Sequence, residues 1–533
     1  MSNRIRIQRR LLVPLLTVGA AVLISQSRAA AYGPGDDMDG DDVLVVYNSV
    51  SPEAIALKNS YLVAHPDIPA ANVLDLDDDS LVVADLSYAD FVTKIRNPIR
   101  SYLSLPGQPG PSDIIAIVLI RPFPHRILDT DAGAVGDSRN AAGTEFLPPS
   151  NGGQGDATFA SVDAELVLLW QNLDIGEAGG TMDSRSDNMV DNPYHQSATR
   201  ITAFGRANIQ TQKTFINQLN VVWRIGGAGA TQLTPGDMYL VCRIDGNSLS
   251  QAQALIERSQ DIFVNKAVVR VLLDEYDVNG NNELDDDALI SPGSPFLAGD
   301  DFEETVPLLQ ADGWDVRYDG TADFIDSTEE TLPLIAYASY GENHDIGGFG
   351  ENPPGSGIYI NNFNFPPGAM FNTLESYNGR ALNGLGTLFG QEQSADFIAA
   401  GGTFAIGNVW EPFTFTLADN EFLFPRMLVD GVQWGEAAYM AIPALSWHHI
   451  VIGDPLAYYQ IIDDPGLPKG DLDGDGQVNG DDIRWFVQIV LNGPAGYRTV
   501  FPTLDPIARA DFTGDFVIET DDAPGFVNML LGP

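Results

Sequence analysis

A chain of 533 residues with 73 acidic and 28 basic side chains, net −45, has length for several domains and carries the wrong charge for nucleic acid, whose phosphates need lysine and arginine. At 44% apolar and 9% aromatic residues it can build a core, so the charge signals solubility, calcium affinity and a saline medium rather than disorder. A single cysteine, Cys242, excludes an internal disulfide.

The chain opens on Arg4, Arg6, Arg9 and Arg10, an apolar run from Leu11 to Ile24, and Ala29-Ala30-Ala31. This order predicts a secretory signal peptide over residues 1–31. A retained anchor is the alternative, although the run is short for a span. Cleavage leaves 23 basic against 73 acidic groups, net −50. No later stretch reaches the roughly 18 uninterrupted apolar residues of a membrane helix. The mature chain is therefore expected without a span, secreted or held at a cell surface.

Residues 32–42 form an acidic lead-in. From 43 to 462 short apolar runs alternate with amphipathic stretches, which predicts an α/β core with a mostly parallel sheet and flanking helices. Strands are expected at Val43–Tyr47, Val73–Leu76 and Asp113–Ile120, with helices at Ser51–Ala64, Ser87–Leu103 and Ser161–Trp170. Residues 129–158 and 171–200 read as loops. A division of the core into two subdomains would fall near 200–237. Strands follow at Tyr239–Ile244, Ala267–Leu273, Trp314–Tyr318, Leu332–Ala338 and Thr403–Gly407, and the last core strand lies in H-H-I-V-I-G-D-P-L. Helices are expected at Ser248–Val264, Phe302–Asp312, Gln393–Ala400, Glu421–Val429 and Gly435–Met440. Cys242, in M-Y-L-V-C-R-I-D-G, reads as a core thiol rather than a nucleophile. The acidic tract Glu275–Asp286 hints at a calcium loop whose register does not close; a solvated turn is the competing reading.

The region 332–456 carries Y-A-S-Y-G-E-N-H-D, then G-A-M-F-N-T-L-E-S-Y-N-G, then a helix leading into G-G-T-F-A-I-G-N-V-W-E-P. This order resembles the caspase and gingipain-type fold, in which His-Gly follows one strand and a catalytic cysteine the next. Here Tyr340-Gly341 replaces His-Gly, and no cysteine lies near Glu375, Ser376 or Tyr377, so the cysteine-peptidase activity does not carry over. The segments V-V-Y-N-S, I-P-A-A-N-V, S-V-D-A-E-L, C-R-I-D-G, N-V-W-E-P and S-W-H-H-I-V-I-G-D-P-L resemble an uncharacterised secreted family of bacteria with exosortase sorting systems. That resemblance implies a fold and a secretory setting, not a reaction. A serine hydrolase remains open, with Ser376 or Ser339 as nucleophile, His344 as base and Asp345 or Glu375 orienting it. The competing reading places His344 on an exposed loop beside Gly347 and Gly348.

After a linker at 463–469, rich in proline and glycine, the module 470–533 begins with G-D-L-D-G-D-G-Q-V-N-G-D-D. Asp471, Asp473 and Asp475 occupy positions 1, 3 and 5 of a calcium loop, Gln477 offers its carbonyl at 7, and Asp482 closes at 12. Gly476 stands at position 6, where the turn needs positive φ. Forty residues on, Asp511, Thr513, Asp515, Val517 and Asp522 repeat the set. Thr513 replaces a carboxylate, and Phe516 replaces the glycine at a cost of roughly 1–2 kcal/mol. Each loop feeds a short amphipathic helix, so an all-α pair of EF-hand-like units is expected. Two Ca²⁺ ions should bind, the first more firmly than the second. The pair resembles a type I dockerin over residues 468–533, which implies a cohesin-like protein domain as partner. Gly480-Asp481 and Thr520-Asp521 stand where that family reads its partner and are not its usual small hydroxyl pairs. A calcium-stabilised end cap on a structural envelope protein is the alternative.

Overall fold

Most of the short apolar runs assemble into one ten-stranded sheet. In chain order its strands are β1 (Val43–Tyr47), β2 (Val73–Asp75), β3 (Ala116–Ile120), β4 (Leu240–Ile244), β5 (Arg270–Asp274), β6 (Val316–Asp319), β7 (Leu334–Ser339), β8 (Met370–Thr373), β9 (Phe404–Asn408) and β10 (His449–Ile452). The computed structural model describes residues 35–128, 160–170, 189–204, 210–216, 222–232, 238–275, 282–284, 301–321, 325, 328–341, 363–382, 394–410, 412 and 416–532. The expected signal peptide, the loop around His344 and Asp345, and most of Glu275–Asp286 lie outside these residues.

The strands stand in the order β6-β5-β7-β8-β9-β10-β4-β3-β1-β2. Every neighbouring pair is parallel except β9 and β10, where Asn408 faces His449 and Ala405 faces Ile452. The strands on either side of that junction therefore run in opposite directions. Strands β3, β4 and β7 to β10 are buried along their whole length. Burial on both faces is why Ala116–Ile120 and Leu334–Ser339 read as nearly continuous apolar runs.

The sheet is flanked by α1 (Pro52–Ala64), α2 (Asn97–Leu103), α3 (Val162–Val167), α4 (Leu249–Arg258), α5 (Phe302–Ala311), α6 (Ser394–Ala399), α7 (Asn420–Leu428) and α8 (Trp434–Ala441). One hydrophobic cluster runs through it from Met38 to Tyr459. The described part of the acidic lead-in, from residue 35, belongs to this body: Met38 is buried, its N–H donates to Gln433 at 2.7 Å, and Arg200 bridges Asp37 and the buried Glu436.

Three departures from expectation alter the elements around the sheet. The helix expected over Ser87–Leu103 is broken: Phe91–Arg96 is wound wider before α2 starts. Pro98 lacks the N–H an unbroken helix would need there. The helix expected to reach Val264 ends at Arg258, where the Ser259 hydroxyl bonds back to Leu255 O at 2.8 Å. Phe263–Asn265 then pairs in parallel with Gln460–Ile462. Near 200–237, Gln210–Ile216 and Val222–Gln232 form a hairpin in a second, four-stranded sheet with Met189–Asp191 and Ala444–Leu445. Gly226, Gly227 and Gly229 hide its alternation from a pattern reading.

Beyond residue 463 lie α9 (Ile483–Asn492), α10 (Pro494–Val500), α11 (Pro506–Ala510) and α12 (Ala523–Leu531) around a separate small core. Among the described residues, no helix is long and apolar enough to cross a membrane.

Candidate functional site

The first acidic loop folds around its own carboxylates. Asp471 accepts the N–H groups of Gly474 (2.8 Å) and Gly476 (2.9 Å), and Gly474 and Gly476 take φ of 75° and 85°. Asp482 is fully buried and accepts from Leu472 (2.6 Å), Asp473 (3.1 Å) and Asn479 (2.8 Å). These bonds bring one carboxylate oxygen each of Asp471, Asp473 and Asp482 within 4.8 Å of one another. Asp475, exposed, accepts from Gln477 N at 2.8 Å. Desolvation first, then the charges of Asp475, Asp482 and Asp471, push the Asp473 carboxyl above its ordinary range. A donor set made only of oxygens, crowded enough to repel, suits a hard divalent cation such as Ca²⁺.

The second loop repeats this wiring. Asp522 accepts from Phe512 (2.7 Å), Thr513 (2.9 Å) and Glu519 (2.9 Å), and Asp511 from Gly514 (2.6 Å) and Phe516 (2.9 Å). The Thr513 hydroxyl donates to Asp511 at 3.2 Å, and Val517 N to Asp515 at 3.0 Å. The carboxylates that approach one another here are Asp515, Glu519 and Asp521, all exposed. Glu519 and Asp521 were not among the expected ligands. Phe516 takes φ 64°, the left-handed conformation its loop position demands. A Phe516→Gly chain should relieve that strain, partly offset by about 0.5–1 kcal/mol of added unfolded-state entropy. We expect calorimetric titration to show second-loop calcium affinity rising a few-fold, with overall stability near wild type.

The repeat is also a spatial symmetry. Phe486 and Phe526, equivalent in sequence, stack on each other with ring centroids 4.4 Å apart and planes 13° off parallel. Lys469 and Arg509, each two residues before a loop, both reach the opposite loop: Lys469 over the Phe512 ring at 5.0 Å, Arg509 onto Asp471 O at 2.6 Å. On the outer faces Ile483, Val487 and Leu491 of α9, and Val527 and Leu531 of α12, are exposed at helical spacing.

Residues 463–469, expected as a linker, are bonded into the protein. Asp464, Asn265, Asp505 and Arg509 are all buried and bonded together, and none was singled out in the sequence. The register of Arg509 against Lys469 is the one local signal that would have found this group.

In the core, Asp274, Ser339, Tyr340, Gly341, Thr373 and Glu375 meet where β5, β7 and β8 end. The order reverses between β5 and β7, the position where open α/β sheets bind ligands. Gly341 has φ 68°, and a Cβ there would lie 2.2 Å from Glu375 Cγ. Ser339 is buried and accepts from Gly341 N at 2.9 Å. Ser376 is half-buried on the turn that follows, and among the described residues no hydrogen bond joins it to a histidine. Glu275 is buried at the end of β5. Cys242 is fully buried, and desolvation, with Asp454 and Asp163 behind it, holds its thiol far above the ordinary value. That environment makes it inert.

At the opposite edge Asp454, fully buried, accepts Tyr61 OH (3.0 Å), pairs with His65 Nε2 (2.6 Å) and receives Gln260 Nε2 (3.2 Å), joining α1, β10 and the end of α4. Burial works against the His65 charge, but Asp454 outweighs it and raises the pKa above its usual value. A base stabilised in its charged form contributes fully below the unfolded pKa, about 6.5, and the contribution fades as pH rises through the folded value. The melting temperatures of wild type and His65→Gln should therefore differ most below pH 6.5 and converge toward pH 9.

No family model matches the chain, and no curated protein or solved structure matches it.

Proposed function

We propose that this is a secreted calcium-binding protein whose C-terminal module docks a large α/β core into an extracellular or cell-surface assembly. The module is read as dockerin-like. Ca²⁺ fills the first loop through Asp471, Asp473, Asp475, Gln477 O and Asp482, and the second, more weakly, through Asp511, Thr513, Asp515, Val517 O and Asp522. The outer faces of α9 and α12 meet a cohesin-like protein domain.

The observation that carries this reading is the pair of loops with matching internal bonds, related through the Phe486–Phe526 stack. Two apolar stripes at equivalent positions support a protein partner, because exposed apolar residues grouped on a helix face mark interaction sites. The core is read as caspase/gingipain-like cargo without that fold's Cys–His chemistry. Tyr340-Gly341 follows β7, and Glu375-Ser376-Tyr377 follows β8, where the pattern would carry histidine and cysteine.

The test uses the full secreted chain. Calorimetry should find two Ca²⁺ per chain with unequal affinities. Capture from the secreted fraction should retain a protein carrying cohesin-like domains in calcium and release it in chelator. Two bound ions with no such partner would leave the module an end cap; no bound calcium would overturn the reading altogether.

A further inference from the structure

The polar group that joins the module to the core touches the first calcium loop. Arg509 forks onto Asp464, Nε to Oδ2 and Nη2 to Oδ1, both at 2.9 Å. Its third nitrogen, Nη1, donates to Asp471 O at 2.6 Å and stands 3.4 Å from Asp471 Oδ2. Its carbonyl accepts Gly470 N at 2.8 Å. On the other side Asp464 is held by the core: Asn265 Nδ2 donates to Asp464 O at 2.5 Å, and Asp464 N donates to Asn265 Oδ1 at 2.9 Å. Asn265 Nδ2 also reaches Asp505 Oδ2 at 2.8 Å, and Asp505 N donates to Asp464 Oδ2 at 2.7 Å. Nearby, Arg498 lies 4.6 Å over the Phe263 ring. A flexible tether has no such buried contacts.

We infer that calcium in the first loop locks the module onto its own core, through Asp471, Arg509, Asp464 and Asn265. The inference rests on the calcium reading of that loop. The ion would take Asp471 by its carboxylate, whereas Arg509 holds the same residue by its backbone carbonyl, which the loop pattern leaves unused at position 1. The two grips are therefore compatible. Without the ion, Asp471, Asp473, Asp475 and Asp482 repel one another, the start of the loop loosens, and Arg509 Nη1 loses its acceptor. Asp464 then holds the fork alone.

Linkage makes the effect reciprocal: if calcium tightens the junction, the junction tightens calcium. A substitution in the core should then weaken a metal site to which it supplies no ligand. Calcium titration of the full-length Asn265→Ala chain should show first-loop affinity reduced by about 5-fold or more, with the second loop unchanged. An Asp482→Ala chain identifies which phase belongs to the second loop. Hydrogen exchange on the wild type provides a readout that needs no variant: the amides of Asp464, Gly466 and Asp505 should be protected in calcium and exchange faster in chelator. Arg509→Lys, which keeps the charge but cannot fork, should remove that difference. Wild-type affinity in Asn265→Ala together with calcium-indifferent exchange would overturn the lock and leave the calcium reading intact. A wild-type chain that binds no calcium would overturn both.

Discussion

An Arg243→Met chain is expected to lose about 3–5 kcal/mol of stability, because it strands a buried charge. Arg243 on β4 and Asp163 on α3 are both fully buried. Arg243 Nε lies 2.8 and 2.7 Å from the two Asp163 oxygens, and Nη2 lies 2.5 Å from Oδ1. The remaining donors reach Phe123 O (3.2 Å) and Pro124 O (2.5 Å), so one side chain ties β4, α3 and the segment after β3. Burial already raises the Asp163 carboxyl above its ordinary value, against the pull of Arg243. Without the arginine it rises further, and a raised acid costs least when it can take up a proton. The deficit should therefore be larger at pH 8 than at pH 5. Urea unfolding followed by tryptophan fluorescence at both pH values checks this. Arg243→Met combined with Asp163→Leu should recover much of the loss, since an apolar pair of similar volume can replace a buried ion pair.

Asp482→Ala should abolish calcium at the first loop and halve the stoichiometry from two ions to one. The residue accepts three backbone N–H groups and, on the proposed reading, would also close the calcium site at position 12. Leu472, whose N–H is one of them, is fully buried, and an orphaned buried donor costs about 1–3 kcal/mol. Calcium at a hundred times its dissociation constant adds about 2.7 kcal/mol to the folded state, and that stabilisation by the first ion vanishes too. Asp482→Asn keeps an acceptor and loses a charge, so it should fall between wild type and alanine. Calorimetry gives the stoichiometry, and melting in calcium against chelator gives the stability. Two ions still bound to Asp482→Ala would remove Asp482 from the site.

The two acidic loops were legible because the residues that fold them are local. Asp471 to Asp482 encode the wrapping in one twelve-residue stretch, and even the strain at Phe516 followed from its position. The buried strands were legible to within a few residues because Ala116–Ile120 or Leu334–Ser339 are apolar on both faces. Strand direction was not, because nothing in H-I-V-I distinguishes a parallel from an antiparallel neighbour. The short β8, M-F-N-T, contains too little pattern to stand out. The junction of Asn265, Asp464, Asp505 and Arg509 bonds residues up to 240 positions apart, each an ordinary polar side chain until the fold brings them together.

The antiparallel pairing of β9 with β10 gives the molecule a front and a back. Asp454, Gln260 and the strand Phe263–Asn265 lie where β10 ends and β5 is about to begin, and the C-terminal module is moored on that side. Ser339, Gly341 and Glu375 lie where β7 and β8 end, at the other rim of the same sheet. Strands of four to six residues at about 3.3 Å each separate the two rims by roughly 13–20 Å. A chain held by its module would thus present the Glu375 rim outward, away from whatever it is moored to, with an orientation set by one reversed strand.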